Sequence, residues 1–184
     1  MSFFLTVIFK TDTRPRASMV TSVIKCYLCG MRILMICLGN ICRSPLAEGI
    51  MAYHAQNAGL NWDVDSAGTG GWHIGEQPHS LSQKVAKMNG IDISKQKSRV
   101  FLEEDMHHFD KIFVMDRTNY NSVKSMSGAS WNPDKVDLLL NLTEPGANKE
   151  VPDPWSEDEE KYHAVFSMID QACKSFVDRH LAKS

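Results

Sequence analysis

The feature that most constrains this chain lies between Arg32 and Leu46. A short apolar run, Arg32–Ile36, passes into a turn containing Gly39 and then into Ser44-Pro45, a helix-start signal with Pro at the first helical position. So short and unbroken an apolar run suits a parallel strand buried on both faces. In the helix predicted to follow, Leu46, Ile50 and Met51 share one face, and Gly59 stops the run. The alternation then repeats. Strands are predicted over Trp62–Ser66, Lys111–Met115 and Lys135–Leu140, and helices over 80–90, Asp116–Ser125 and Glu157–Leu181. The last is amphipathic, with Val165, Ile169, Ala172 and Phe176 on one side. Strands alternating with helices predict a single α/β domain: a four-stranded parallel sheet with helices on both faces. Right-handed crossovers gather the loops at the carboxyl ends of the strands on one edge, where a site is expected.

Lys and Arg total 20 against 22 Asp and Glu, a formal charge of −2. No electrostatic footprint for nucleic acid is present, so any anion site must arise from local geometry. The cysteines at 26, 29, 37, 42 and 173 are odd in number and unevenly spread. They predict reduced thiols in a cytoplasmic protein rather than a secreted disulfide framework. The run Phe3–Phe9 is too short to span a bilayer, and no membrane association is expected. Residues 1–30 read as an appendage to a domain over 31–184. Cys26 and Cys29 lie in that appendage without partners for a metal.

Cys37 to Pro45, CLGNICRSP, falls between the first strand and the first helix. A loop entering a helix points unpaired backbone N–H groups at one spot, which suits an anion. Gly39 and Asn40 tolerate the left-handed backbone that curls such a loop, and Arg43 offers a planar fork for two phosphate oxygens. Cys37 opens the loop in the same field, which favours thiolate over thiol and equips the sulfur to attack phosphorus. Ser44 is placed to donate a hydrogen bond to that sulfur. Cysteine after an apolar strand is ordinarily a small buried hydrophobe; here the whole string and its strand-to-helix setting point to a nucleophile. The G-x-x-x-x-G-K-[ST] nucleotide loop does not occur, and Cys37 and Cys42 lack a second ligand pair for zinc.

Breaking a phosphate ester needs a proton on the leaving oxygen, hence an acid over the cradle. Val151–Trp155 presents Asp153 rigidly between two prolines, with Trp155 beside it to stack on an aromatic substrate. The acidic run Glu157–Glu160 reads as the first turn of a helix.

These residues resemble the low-molecular-weight protein tyrosine phosphatases over nearly all of the chain from Met31, through CLGNICRSP, DSAGT, WHIG, GIDIS, IFVMD and PDPW. The resemblance implies a flavodoxin-like sheet and no metal or organic cofactor. It implies Cys37 as nucleophile, Arg43 as phosphate clamp and Asp153 as general acid. The expected substrate is a tyrosine-phosphorylated protein or a small aryl phosphate. Leu38, Gly39, Asn40, Ile41, Cys42 and Ser44 fall at binding-loop positions, with Asn40, Ser44 and Ser66 holding its shape. Trp72 and Trp155 match the aromatic walls of a cleft. Cys42 matches a cysteine that forms a reversible disulfide with the nucleophile. Two departures stand out: after GIDIS, where a His and then an Arg are often found, this chain reads Lys95-Gln96-Lys97-Ser98-Arg99, so a His supporting the loop serine is missing or replaced. Trp155-Ser156 stands where two tyrosines often follow Asp-Pro.

Three rival readings carry distinct marks. Arsenate reductases on this fold pass oxidation to a further cysteine pair, absent between Cys42 and Cys173. Protein-arginine phosphatases tend to carry Thr where Ile41 stands. A non-catalytic phosphotyrosine-binding module would be expected to lose Cys37 or Asp153.

Overall fold

The computed structural model describes residues 30–183. Residues 1–29 of the expected appendage, the Cys26/Cys29 pair among them, lie outside the described residues. Four strands, β1 (Arg32–Cys37), β2 (Asp63–Gly68), β3 (Lys111–Val114) and β4 (Val136–Leu138), form one sheet in the order β2-β1-β3-β4. Every pairing is parallel. The α-helices are α1 (Arg43–Asn57), α2 (Ser80–Met88), α3 (Asp105–His108), α4 (Arg117–Met126) and α5 (Glu159–Leu181). None of the described helices is long and apolar enough to cross a membrane.

Side chains along a strand alternate between faces, and β1 shows why its run is unbroken. Ile33, Met35 and Cys37 belong to a core shared with Leu46, Ile50 and Met51 of α1 and Val165, Ile169 and Ala172 of α5. Leu34 and Ile36 face a second core with Phe101, Met106, Ile112, Val114 and Val123. This parity decides where the candidate nucleophile sits, because it puts the Cys37 side chain on the α1 side of the sheet. The chain leaves β1 for β2 on one side and returns past it to β3 on the other. A crevice opens at that reversal, at the carboxyl ends of β1 and β3.

The fold class and element order match the sequence expectation, while several boundaries shift. Helix α1 begins at Arg43 rather than Pro45. Pro is harmless there, because first-turn N–H groups have no helical partner. Strand β2 runs on to Gly68, since Ala67 and Gly68 pair with Ile36 and Cys37. The apolar tail predicted for the last strand leaves the sheet after Leu138. Leu139–Leu142 form a 3-10 turn that buries its leucines in the α5-side core, where Ser175 Oγ donates to Leu142 O at 2.9 Å. Asp116 and Asp158 cap α4 and α5, accepting from Asn119 N and Lys161 N. The single-turn α3 was not anticipated; Asp105 in it accepts from Leu102 N and Arg99.

Candidate active site

Asn40 sits in the left-handed region at φ 54°, and this reversal curls the loop between β1 and α1 back over the end of the strand. The curl brings Asn40 N within 3.2 Å of Cys37 Sγ, and Ser44 Oγ lies 3.0 Å from the same sulfur. Ser44 therefore does not cap the helix; its hydroxyl is turned to the thiol. Gly68 closes the floor: a Cβ there would stand 2.9 Å from Leu38 O, so the end of β2 passes beneath the loop only as glycine. Thr69 N and Gly70 N continue the contact, donating to Cys37 O and Leu38 O.

Behind the loop runs a line of buried polar groups. Asn40 Nδ2 donates to Ser44 Oγ at 2.9 Å and to Ser66 Oγ at 2.8 Å, while its Oδ1 accepts from Arg99 N at 2.9 Å. Ser66 Oγ donates to Glu48 Oε2 at 2.6 Å. Burial is the main cause that raises the Glu48 carboxyl to about 7, with Asp65 adding to it and Ser66, Gln96 and Arg99 opposing. The departure noted after GIDIS thus has a structural answer. Glu48 supports Ser66 from α1, and the Gln96 side chain lies near enough to Glu48 to favour its charged form.

Arg43 is only 3% exposed and projects from the first turn of α1 into the crevice. Its Nη1 donates to Asp116 Oδ2 at 2.7 Å and Val151 O at 3.1 Å, and its Nη2 to Asp153 Oδ2 at 2.9 Å. Burial pushes the guanidinium down, but Cys37, Asp153 and Asp116 outweigh it and the net shift is upward. Among the described residues its Nε has no partner. The Asp153 segment is pinned to the end of β3 by Val151 N donating to Met115 O at 2.8 Å.

A cleft of about 150 Å³ opens over the sulfur, lined by Cys37, Leu38, Gly39, Ile41, Cys42, Arg43, Trp72, His73, Asp153 and Trp155. Asn40, Ser44 and Ser66 do not line it; they stand behind the loop. Trp72 is 71% exposed and Trp155 51%, so two aromatic rings are open to solvent at the mouth. Trp155 packs on His73 and His79, with ring centroids 5.4 Å apart in each case. His79 stacks on Tyr162, whose hydroxyl is 3.0 Å from His79 Nδ1 and 3.4 Å from Cys42 Sγ. Burial raises the Cys42 thiol to about 11, and Cys37, Cys42 and Cys173 are all free thiols.

Sequence reasoning missed Glu48, Asp116, His73, His79 and Tyr162. Glu48 carried a local signal, lying four residues after Ser44 on the same helical side. Asp116 stood in the quoted IFVMD, directly after a predicted strand on the edge where a site was expected. His73 stood in the quoted WHIG beside Trp72, while His79 and Tyr162 had no local mark.

A family model described as low molecular weight phosphotyrosine protein phosphatase matches residues 32–184. The low molecular weight protein-tyrosine-phosphatase YfkJ of Bacillus subtilis is 37% identical over 147 residues, spanning 79% of this chain and 92% of that protein. Its crystal structure aligns with a TM-score of 0.76 at 35% identity, covering 85% of this chain and 98% of that chain. A protein tyrosine phosphatase from Entamoeba histolytica, with Hepes in its active site, aligns at TM-score 0.75 and 33% identity, covering 84% and 99%. Vibrio vulnificus Wzb in complex with benzylphosphonate aligns at 0.73 and 25% identity, covering 82% and 99%.

Proposed function

Because this chain belongs to the low molecular weight phosphotyrosine protein phosphatase family, and so is a phosphatase, we propose that it hydrolyses phosphotyrosine through a phosphocysteine formed on Cys37. Residues 31–184 carry this activity. The observation that supports the reading most is the meeting of two features in one cleft. A thiol faces a backbone N–H and a hydroxyl. A buried guanidinium adjoins it with its Nε unpaired. A phosphate above the sulfur would find a donor in that Nε and, by displacing Asp153, a second in Nη2.

The chemistry follows in two balanced steps. The Cys37 thiolate attacks phosphorus; the P–O bond to the phenol breaks as Asp153, protonated and freed from Arg43, gives its proton to the leaving oxygen. Water then attacks the phosphocysteine, Asp153 takes a proton from it, and the S–P bond breaks. Ser44 Oγ, 3.0 Å from the sulfur, steadies the departing thiolate. Trp72 and Trp155 flank the substrate ring, and the benzylphosphonate held by Wzb is an aryl ligand of that kind. The substrate is a tyrosine-phosphorylated protein or an aryl phosphate, and a reduced Cys37 suits the cytoplasm.

Hydrolysis of p-nitrophenyl phosphate by the wild type and Cys37→Ser tests the reading. Activity is expected to fall to background in the variant, and comparable rates for the two would overturn it.

A further inference from the structure

The polar line behind the loop has a direction. An amide nitrogen only donates, so Ser44 Oγ and Ser66 Oγ both accept from Asn40 Nδ2, and each hydroxyl hydrogen must leave elsewhere. That of Ser66 goes to Glu48 Oε2 at 2.6 Å. That of Ser44 has Cys37 Sγ at 3.0 Å, with Ala67 O farther off at 3.5 Å. Arg99 N on Asn40 Oδ1 keeps the amide from turning over. The line therefore runs unbroken from one carboxyl to the sulfur, and the carboxyl must accept for every other hydrogen to hold its place.

We propose that Glu48 is a proton-sensitive positioning residue, whose charge state sets, through Ser66, Asn40 and Ser44, how firmly the Cys37 thiolate is held. Two observations carry this. First, among the described residues Glu48 has no cation of its own. From β2 it faces Asp65, a like charge. From the segment after α2 it faces Arg99, which is committed to Asp65 at 2.8 Å and Asp105 at 3.0 Å, and Gln96, a neutral amide. Burial and these neighbours raise its carboxyl to about 7. Second, Gln96 Oε1 is buried with no hydrogen-bond partner among the described residues. An ionised Glu48 only accepts, so it can use Gln96 Nε2 but leaves that oxygen orphaned. A protonated Glu48, with the Gln96 amide turned over, donates to it and removes a buried charge as well. The two arrangements are close alternatives separated by one proton. In the ionised one, Ser66 donates to a carboxylate, which strengthens its oxygen as acceptor for Asn40. In the protonated one that grip slackens, and with it the hold of Asn40 on Ser44 and of Ser44 on the thiolate.

Glu48→Gln imitates the protonated form, since a Gln here accepts from Ser66 and donates to Gln96. The test records two pH profiles from 5 to 9: turnover of p-nitrophenyl phosphate, and the rate of Cys37 alkylation by iodoacetamide. His73 and His79 at the cleft are present in both proteins, so the difference between profiles reports Glu48. The wild type is expected to show a neutral-range inflection that Glu48→Gln lacks. Turnover of the variant above that inflection is expected about fivefold below wild type, the worth of one net hydrogen bond. Gln96→Lys, which sets a cation against Glu48, is expected to move the inflection to lower pH. Superimposable profiles for wild type and Glu48→Gln, or an inflection that Gln96→Lys leaves in place, would overturn the proposal. The turnover arm rests on the phosphatase reading. A wild type without phosphatase activity would sink that reading, while the alkylation profiles would still decide the role of Glu48.

Discussion

Replacing Asn40 separates the two things that residue does. Its side chain makes three buried hydrogen bonds, to Ser44, Ser66 and Arg99 N, and its backbone holds φ at 54°. Each bond contributes a net of about 1 kcal/mol, so removing the side chain costs about 3 kcal/mol. Alanine keeps the Cβ but lacks the short polar side chain that lets Asn occupy the left-handed region, a further cost of about 1 kcal/mol. Glycine escapes that term. Asn40→Ala is therefore expected to be destabilised by about 4 kcal/mol and Asn40→Gly by about 3 kcal/mol. Urea unfolding at equilibrium gives both values, read from midpoints at constant slope. The bond from Asn40 N to Cys37 Sγ belongs to the backbone, so a folded Asn40→Gly should keep part of its Cys37 alkylation rate. Losses under about 1 kcal/mol in both variants would refute the hydrogen-bond reasoning. Equal losses would refute the argument from φ.

Asp153→Ala should lose much more activity on phenyl phosphate than on p-nitrophenyl phosphate, whose leaving group needs less protonation; the general-acid step is typically worth about 10² to 10⁴. Equal losses on the two esters would leave Asp153 a shaping role only. Asp116→Asn keeps an acceptor to cap α4 but removes the charge 2.7 Å from Arg43 Nη1. It should lower kcat/KM by about tenfold or more through a displaced guanidinium, with a small change in Tm. An unchanged kcat/KM would count against Arg43 being positioned by that pair. Glu48, raised from 4.5 to about 7, contributes stability that is full below its unfolded value and lost as pH rises through its folded one. At 1.36 kcal/mol per pKa unit the contribution is about 3 kcal/mol. Glu48→Gln should accordingly gain about that much on the wild type between pH 4.5 and 8, and a constant gap across the range would contradict it.

Much of this protein was legible because its proposed nucleophile and proposed phosphate clamp lie on one short stretch. Cys37 and Arg43 are bound together by local geometry: the strand that ends at one and the helix that begins at the other are both readable from apolar spacing. The alternating elements are as local, and so the parallel sheet and its order of elements could be read before any contact was known. Boundaries drifted where tertiary packing outbid pattern, as at Leu139–Leu142, which reads as strand but turns to bury its leucines.

What only the folded chain decided is every relation made across distance. Asp153 could be suspected from its prolines, yet its bond to Arg43 joins residues 110 apart in sequence. Glu48 reads as one more polar residue of a surface helix until β2 packs beside it and Ser66 donates to it. The stack of His79 on Tyr162 under Trp155 has no counterpart in any local pattern. The physical reason is common to all three. Periodicity and turn chemistry report what a segment does against water and against its own backbone. The charge state of a buried carboxyl, or the partner of a guanidinium, depends on which other segments the core draws up against it.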